Sequence, residues 1–466
     1  MKSFETAVRA MRDRGEVFAR GLPIFIARAP GRLDVMGGND DYTGGMVFEA
    51  TIREATWAAT QCRGDAAIVL ENPQMAEHGW QERVEFQLSE LTDPEHVRSL
   101  VDRGEHIRWT AYVLGLFYWL RQHFPEQVAG GMNVFIRSEV PLNKGVSSSA
   151  AVEVAVMKAA AKAYGINLVG VELAEACQWV ENVIASSACG IMDQIAVALG
   201  DEGFILPLVC QPCLPQPLVR LPAGIACWGL DSGVSHQVSG IEYEAARAAG
   251  FMGYKLICDR LGIPVRLDET AAIPRFTDPR WNGYMANMPP SLFRTFEDYL
   301  PTELSGQEYS TGILQEHVDP FTNVRPEIQY RVRACTRYAV EENHRVQLFV
   351  ELARGMIGGH TDAGAKLMGE LMYQSHAAYT ETGLGCDMTD FLVDLARKQG
   401  PDHGIFGAKI TGGGGGGTVA VLGRADAEEA LERIVDSYCD STGVNAYVFR
   451  GSSPGADRFG VTVVEP

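Results

Sequence analysis

The chain has 466 residues, is 46% apolar and 21% charged, and carries a net charge of −19. Its length exceeds what one hydrophobic core normally serves, so more than one domain is expected in an otherwise ordinary globular composition. The acidic balance speaks against nucleic-acid and anionic-membrane partners, which need a basic surface, but leaves a phosphorylated ligand open, because that requires only a local site.

The N-terminal stretch "MKSFETAVRAMRDRGEVFARG" has no apolar signal core, and no run reaches the ~18 apolar residues of a membrane span. The ten cysteines are scattered along the chain. Reduced thiols and a cytoplasmic location are the expectation.

Apolar runs at 24–29, 46–51 and 66–70 predict strands. The first leads into "ARAPGRLDVMGGNDDYTGG" (27–45), which holds Arg28, Arg32, Asp34, Asp40 and Asp41 among glycines. Charges on a glycine-rich loop at a strand end suit a polar ligand, yet Asp and Gly also build plain turns. The residues alone leave both readings open. Helical periodicity covers 106–124, and an apolar strand follows at 132–137.

The segment Gly145-Val146-Ser147-Ser148-Ser149-Ala150 then opens an Ala-rich helix that ends near Gly165. A helix start exposes N–H groups at the positive end of the macrodipole. Glycine admits an anion to the backbone, and three hydroxyls add donors and a magnesium ligand. A helix cap needs only one Ser, so the segment favours a phosphate site over a cap. It is not a Walker A sequence.

A helix is expected at 171–185, with Glu181 late in it. Asp193 follows in the otherwise apolar run "CGIMDQIAVAL". Such an acid is either functional or paired, for instance with a helix terminus. Strands are expected at 203–208 and 225–230. Between them Cys210 and Cys213 have CxxC spacing, but the nearby prolines predict a turn and no second such pair exists for zinc.

Region 262–325 is rich in Pro, Asp, Thr and Asn and reads as an insertion of loops and short helices. Helices resume at 327–353, 362–379, 388–399 and 425–439, and the chain nears its end with a strand in "NAYVFR". Between the last two helices stands "AKITGGGGGGTVAVL". Its flanks are apolar and β-branched, so the glycines read as a loop held between strands rather than a linker. The alternation of elements predicts an α/β or α+β class with mixed sheets.

Taken together, three stretches resemble the GHMP kinase superfamily over nearly the whole chain. "APGRLDVMGGNDDYTGG" is similar to its galactokinase signature, "EVPLNKGVSSSAAVEVA" to its phosphate loop, and "KITGGGGGGTVAVL" to its third motif. "CGIMDQ" resembles the galactokinase-type catalytic segment, and "CQP" and "GSSPGA" resemble a branch that acts on L-arabinose. The resemblance implies an α+β, two-domain fold with the active site in the cleft between residues 1–215 and residues 216–466. It implies ATP-dependent phosphorylation of the anomeric hydroxyl of a monosaccharide, with Mg2+. L-Arabinose is the first expectation; galactose, a uronic acid or a heptose, and a catalytically silent sugar and ATP sensor, are the alternatives.

The resemblance also assigns roles. Gly145, Ser147, Ser148 and Ser149 cradle the nucleotide phosphates, and Ser149 with Glu181 holds magnesium. Trp109 and Tyr112 contact adenine, the alternative being plain core residues. Asp193 is the catalytic acid–base and Arg32 its cationic partner. Asp41, Gly190 and Tyr243 contact the sugar. The chain departs from the galactokinase pattern Gly-Glu-His-Thr-Asp, reading Gly37-Gly38-Asn39-Asp40-Asp41. Gly38 is expected to leave room where a galactokinase places a carboxylate for the hydroxymethyl group that arabinose lacks. Asn143 and Lys144 in the phosphate loop are a second departure.

Overall fold

The strand expected at 24–29 runs on to Met36 as β1 (Ile24–Met36), despite Pro30 and Gly31. Pro30 falls where the pairing with β2 (Met46–Cys62) shifts register, a place where a missing N–H is tolerated. Gly31 is needed for close approach: a Cβ there would lie 2.7 Å from the Val146 carbonyl. Arg28, Arg32 and Asp34 therefore sit on a strand and not on the loop that Pro and Gly suggested.

The computed structural model describes residues 2–235, 240–268, 275–313, 317–356 and 361–466. β1 and β2 centre a sheet with β3 (Ala67–Glu71), β4 (Arg83–Gln87), β5 (Met132–Ser138), β6 (Ile205–Val209) and β7 (Leu214–Pro215). Among the described residues only β3 and β5 pair in parallel. Alternate residues of β1 serve two layers. Ile24 and Ile26 pack under α1 (Lys2–Arg14), while Ala27 and Ala29 face a core with α2 (Pro94–Val101), α3 (Ala111–His123), α4 (Ser148–Ala163) and α5 (Gly170–Val183). The alanines of α4 let it lie close on the sheet, and α6 (Met192–Leu199), not expected from sequence, follows α5. The periodic stretch from 106 begins as a 3-10 turn, Glu105–Thr110, before α3. Cys210 and Cys213 are free thiols in the turn between β6 and β7.

β8 (Ile225–Asp231) starts a second sheet. α7 (Ile241–Leu261), absent from the sequence expectation, leads into the insertion. There two ribbons, β9 (Arg266–Asp268) with β10 (Arg275–Thr277) and β11 (Leu304–Ser305) with β12 (Gln329–Tyr330), flank the short helices α8 (Pro290–Phe293) and α9 (Gly306–Glu308). Residues 269–274 and 314–316 of the expected loop region lie outside the described residues. The insertion has its own apolar core, with Phe276, Trp281, Phe293, Tyr309 and Tyr330 buried against α7 and α10 (Val332–Gly355). After α11 (Thr361–Thr382) and α12 (Asp387–Gln399), the second sheet is completed by β13 (Ile405–Ile410), β14 (Thr418–Arg424) and, after α13 (Glu428–Thr442), β15 (Val448–Phe449), in the order β13-β14-β8-β15. Helices α12 and α13 cover one face, and α10 and α11 fill the space between the two sheets. The last strand, β16 (Val461–Val464), after α14 (Ala456–Phe459), returns to pair with β1, so the expected division at residue 215 is crossed by the C-terminus. Among the described residues no helix is long and apolar enough to cross a membrane.

β1 and β13 are joined by an ion pair. Lys409 Nζ lies 2.7 Å from Asp34 Oδ2, and both side chains are fully buried. Removing one partner of such a pair leaves an uncompensated charge in the interior. Lys409→Met is expected to destabilise the protein by ~3–5 kcal/mol, read from urea unfolding, and the double variant Asp34→Asn/Lys409→Met should recover part of that loss.

Candidate active site

The chain in front of α4 is left-handed at alternate residues: Asn143 (φ 57°), Gly145 (φ 68°) and Ser147 (φ 59°). Alternation of this kind turns successive N–H groups to one side and makes an anion-binding concavity. It runs directly into the N-terminus of α4, where Ser148 and Ser149 occupy the first turn. Ser147 Oγ is buried without a hydrogen-bond partner. An orphaned donor in a nest at a helix start fits a phosphate oxygen.

The glycine run holds this loop from behind. Five of its glycines, Gly412 and Gly414 to Gly417, have φ between 62° and 135°, a region closed to most side chains. A Cβ on Gly417 would come within 2.8 Å of the Lys144 carbonyl. Thr418 Oγ1 donates to that carbonyl at 2.7 Å, and Thr411 Oγ1 to that of Gly145 at 3.3 Å. Lys144 is tied to Asp231 of β8 at 3.2 Å, so the departure at 144 serves the joint between the sheets.

Arg32 crosses from β1 to the same loop. Its Nη1 donates to the Gly145 carbonyl at 2.6 Å and its Nε to Asp193 Oδ1 at 2.8 Å, with Nη2 2.7 Å from the same oxygen in the ion pair. Burial works against its charge, but neighbouring carboxylates, Asp193 first among them, outweigh that and hold its pKa above the ordinary value. Asp193 is in the first turn of α6 with a side chain 21% exposed, so it is both paired and open to the cavity.

Glu181 receives Gln194 Nε2 at 2.6 Å, and the same amide reaches Glu153 of α4 at 3.2 Å. Burial and the charge of Asp193 push the Glu181 carboxyl up to about 7, against hydrogen bonds that include one from Ser149. Ser149 and Glu181 lie together and can supply two oxygens to a magnesium ion that takes its other ligands from phosphate and water. Glu153 and Gln194 escaped the sequence reading because nothing local marks them; both support Glu181 from below.

Asp41 accepts the Tyr42 N–H at 2.9 Å and lies against Gly190, where any Cβ would overlap its carboxylate. Burial and the charge of Asp193 push the Asp41 carboxyl up to about 6, against Arg247 and two backbone N–H groups. Tyr243 Oη donates to the Ala188 carbonyl at 3.3 Å. Trp109 donates its indole N–H to the Gln81 carbonyl at 3.0 Å. One cavity of ≈ 680 Å³ is lined by Arg32, Asp41, Trp109, Tyr112, Gly145, Ser147 to Ser149, Glu181, Gly190, Asp193 and Tyr243. A larger cavity, ≈ 860 Å³, lies behind the first sheet near Thr51 and Arg220 and contains none of these groups.

Gly38 is the exception. It does not line the cavity. A Cβ there would overlap the Tyr379 hydroxyl and Asp34 Oδ2 and lie 2.9 Å from the Gly412 carbonyl. The expected room for water is absent: Gly38 is a packing residue and not a sugar contact. Its neighbour Asn39 does line the cavity, with Oδ1 buried and unpartnered.

Comparison with known proteins gives the family. Residues 16–62 match the galactokinase galactose-binding signature, 111–201 the GHMP kinases N terminal domain, and 362–440 the GHMP kinases C terminal domain. The chain is 34% identical to L-arabinokinase of Arabidopsis thaliana over 97% of its own length, but it spans only 48% of that protein. It is 30% identical to galactokinase of Chloroflexus aurantiacus, with 90% of each chain covered. In structure it resembles Lactococcus lactis galactokinase complexed with galactose (TM-score 0.74, 21% identity, 99% of each chain), a likeness of fold. The chain belongs to the GHMP kinase superfamily. Within it, the chain is a galactokinase-like sugar kinase, a transferase acting on an alcohol group.

The raised Asp41 pKa carries a stability consequence. Its folded value, about 6, exceeds the ordinary 3.8, so the native state binds that proton more tightly than the unfolded chain. The contribution is complete below about pH 4 and is lost as pH rises to about 6. Asp41→Asn is expected to flatten the pH dependence of the urea midpoint in that window and to raise the melting temperature at neutral pH.

Proposed function

We propose that this chain transfers the γ-phosphoryl group of ATP to the anomeric hydroxyl of a monosaccharide, and that the sugar is L-arabinose. The observation that carries the reaction is the Arg32–Asp193 pair, which faces the same cavity as the phosphate loop. The N–H groups and hydroxyls of residues 145–149 would hold the β- and γ-phosphates, and Ser149 and Glu181 would hold magnesium, which supplies charge neutralisation when bound.

Asp193 accepts a hydrogen bond from the C1 hydroxyl and takes its proton as the new O–P bond forms and ADP leaves. Arg32 orients the Asp193 carboxylate and stabilises the developing negative charge. Asp41, Gly190 and Tyr243 orient the ring, and Asn39 offers an amide oxygen beside them. Trp109 and Tyr112 border the end of the cavity assigned to adenine.

The arabinose reading draws support from the identity to the plant L-arabinokinase. Galactose is the second reading, favoured by the galactose-binding signature at 16–62. Comparing kcat/KM for the two sugars decides between them; a preference for galactose overturns the arabinose assignment. Gly38→Glu tests folding and not specificity.

Asp193→Asn should leave ATP binding intact and lower kcat by roughly 10²–10⁴, the range for a positioned acid–base. Turnover within about tenfold of wild type would remove Asp193 from the reaction. Stacking of a base on an aromatic ring is worth ~1–3 kcal/mol, so Trp109→Ala should raise KM for ATP roughly 5–150-fold. KM for the sugar should hardly move. Equal changes in both constants return Trp109 to the core.

A further inference from the structure

We propose that Glu49 of β2 is the positioning residue that keeps Arg32 turned toward Asp193, and that it does so as an uncharged carboxylic acid. The inference rests on the roles proposed above for Arg32 and Asp193.

The pairing of β1 with β2 sets Glu49 opposite Asp34, and Arg32 lies two residues from Asp34 on the same face of the strand. Asp193 comes from α6 and Lys409 from β13, while Cys210 approaches from the end of β6. Glu49 is 1% exposed, and its Oε2 is 3.4 Å from Arg32 Nε. Neither of its oxygens has a hydrogen-bond partner.

The neighbouring carboxylates are different. Asp34 receives Lys409 Nζ at 2.7 Å and the N–H groups of Gly412 and Gly38 at 3.1 Å each, and Asp193 receives Arg32 Nε at 2.8 Å within its ion pair. An ionised carboxylate sealed from water collects donors in this way. Glu49 collects none, while the guanidinium beside it sends its short bonds elsewhere. Two cations, Arg32 and Lys409, already balance two anions, Asp34 and Asp193. A charge on Glu49 would be in excess. Burial first, then the charge of Asp34, push its proton affinity well above the ordinary carboxylate value, against the pull of Arg32 and Lys409.

When Glu49 does lose its proton, the new anion attracts Arg32 Nε, the same atom that serves Asp193. Asp193 then loses part of its partner, and phosphoryl transfer falls on the alkaline side although Arg32 itself does not titrate.

The test compares wild type with Glu49→Gln, which keeps the shape and cannot ionise. kcat is measured from about pH 5.5 to about 9.5, each enzyme normalised to its own value near pH 6.5. Wild type should decline at high pH while Glu49→Gln holds, so that their ratio climbs about tenfold over the last pH unit of the decline. KM for ATP should not follow it. An identical alkaline decline in both enzymes overturns the proposal. So does a folded Glu49→Gln protein that has lost turnover at every pH, which would mean the charge is required.

A second arm needs no catalysis. A raised folded pKa means that native stability is lost as pH rises, so the urea midpoint of wild type should fall with increasing pH more steeply than that of Glu49→Gln. Equal slopes refute the neutral acid even if the kinase reading stands. Unequal slopes without turnover on any sugar refute the kinase reading alone. Should Glu49→Gln fail to fold, Glu49→Met takes its place with the same expectations.

Discussion

The site hangs from one carboxylate that sees no water. Asp34 and Lys409 are fully buried, and taking two charges out of water costs several kcal/mol each even after relaxation. Their mutual attraction offsets this only with good geometry and further donors, and Asp34 has them: the ammonium and the N–H groups of Gly38 and Gly412 converge on it. The loop after β1 and the loop after β13 are thereby fixed to the same group. The Gly412 carbonyl then receives the Tyr379 hydroxyl at 2.7 Å, and the Tyr338 hydroxyl reaches the Gly38 carbonyl, so helices α10 and α11 are tied into the same joint.

Three segments far apart in the chain meet backbone to backbone around this joint, which explains where glycine is indispensable. The Val146 carbonyl accepts the Arg32 N–H at 3.1 Å across the space that a Gly31 side chain would fill. The Lys144 carbonyl lies over Gly417, and the Gly145 carbonyl lies 3.1 Å from a Cβ placed on Gly412. A side chain at any of these points would push the phosphate loop away from Arg32. The six-residue glycine run is therefore a contact surface; its cost in backbone entropy is accepted because two loops must touch there.

What was legible in the sequence was local. Helix-start chemistry at 145–149 and the apolar periods of α4, α5, α12 and α13 are written in neighbouring residues and were readable. The expected β1 is too short because Pro30 and Gly31 normally end a strand, whereas here the first sits at a register shift and the second admits another loop. β16 is a run of four β-branched residues, Val461 to Val464, and its partner β1 lies across almost the whole chain. The Asp34–Lys409 pair joins two of the quoted motifs across 375 residues, and nothing local to either one announces the other. Gly38 was misread for the same reason: its neighbours in sequence do not include Tyr379, the residue that forbids a side chain there. The insertion looked polar because its buried aromatics are spaced irregularly between turns and lack a helical or strand period.

The electrostatics of the cavity follow from the same packing. Asp41, Glu181 and Glu153 are carboxyl groups folded into a space whose nearest cations, Arg32 and Arg247, are already committed, to Asp193 and to Asp319 at 2.7 Å. Each of the three is consequently held above the ordinary carboxylate range, chiefly by burial. Such an arrangement is poor for stability and suited to binding. A ligand that brings positive charge, or hydroxyl donors, relieves the repulsion among them. The acids that face the cavity must lose protons to act, while Glu49 behind Arg32 must keep its own. The two demands differ in sign, and they are met by environments that differ in one respect: Asp41 and Glu181 line the cavity, and Glu49 does not.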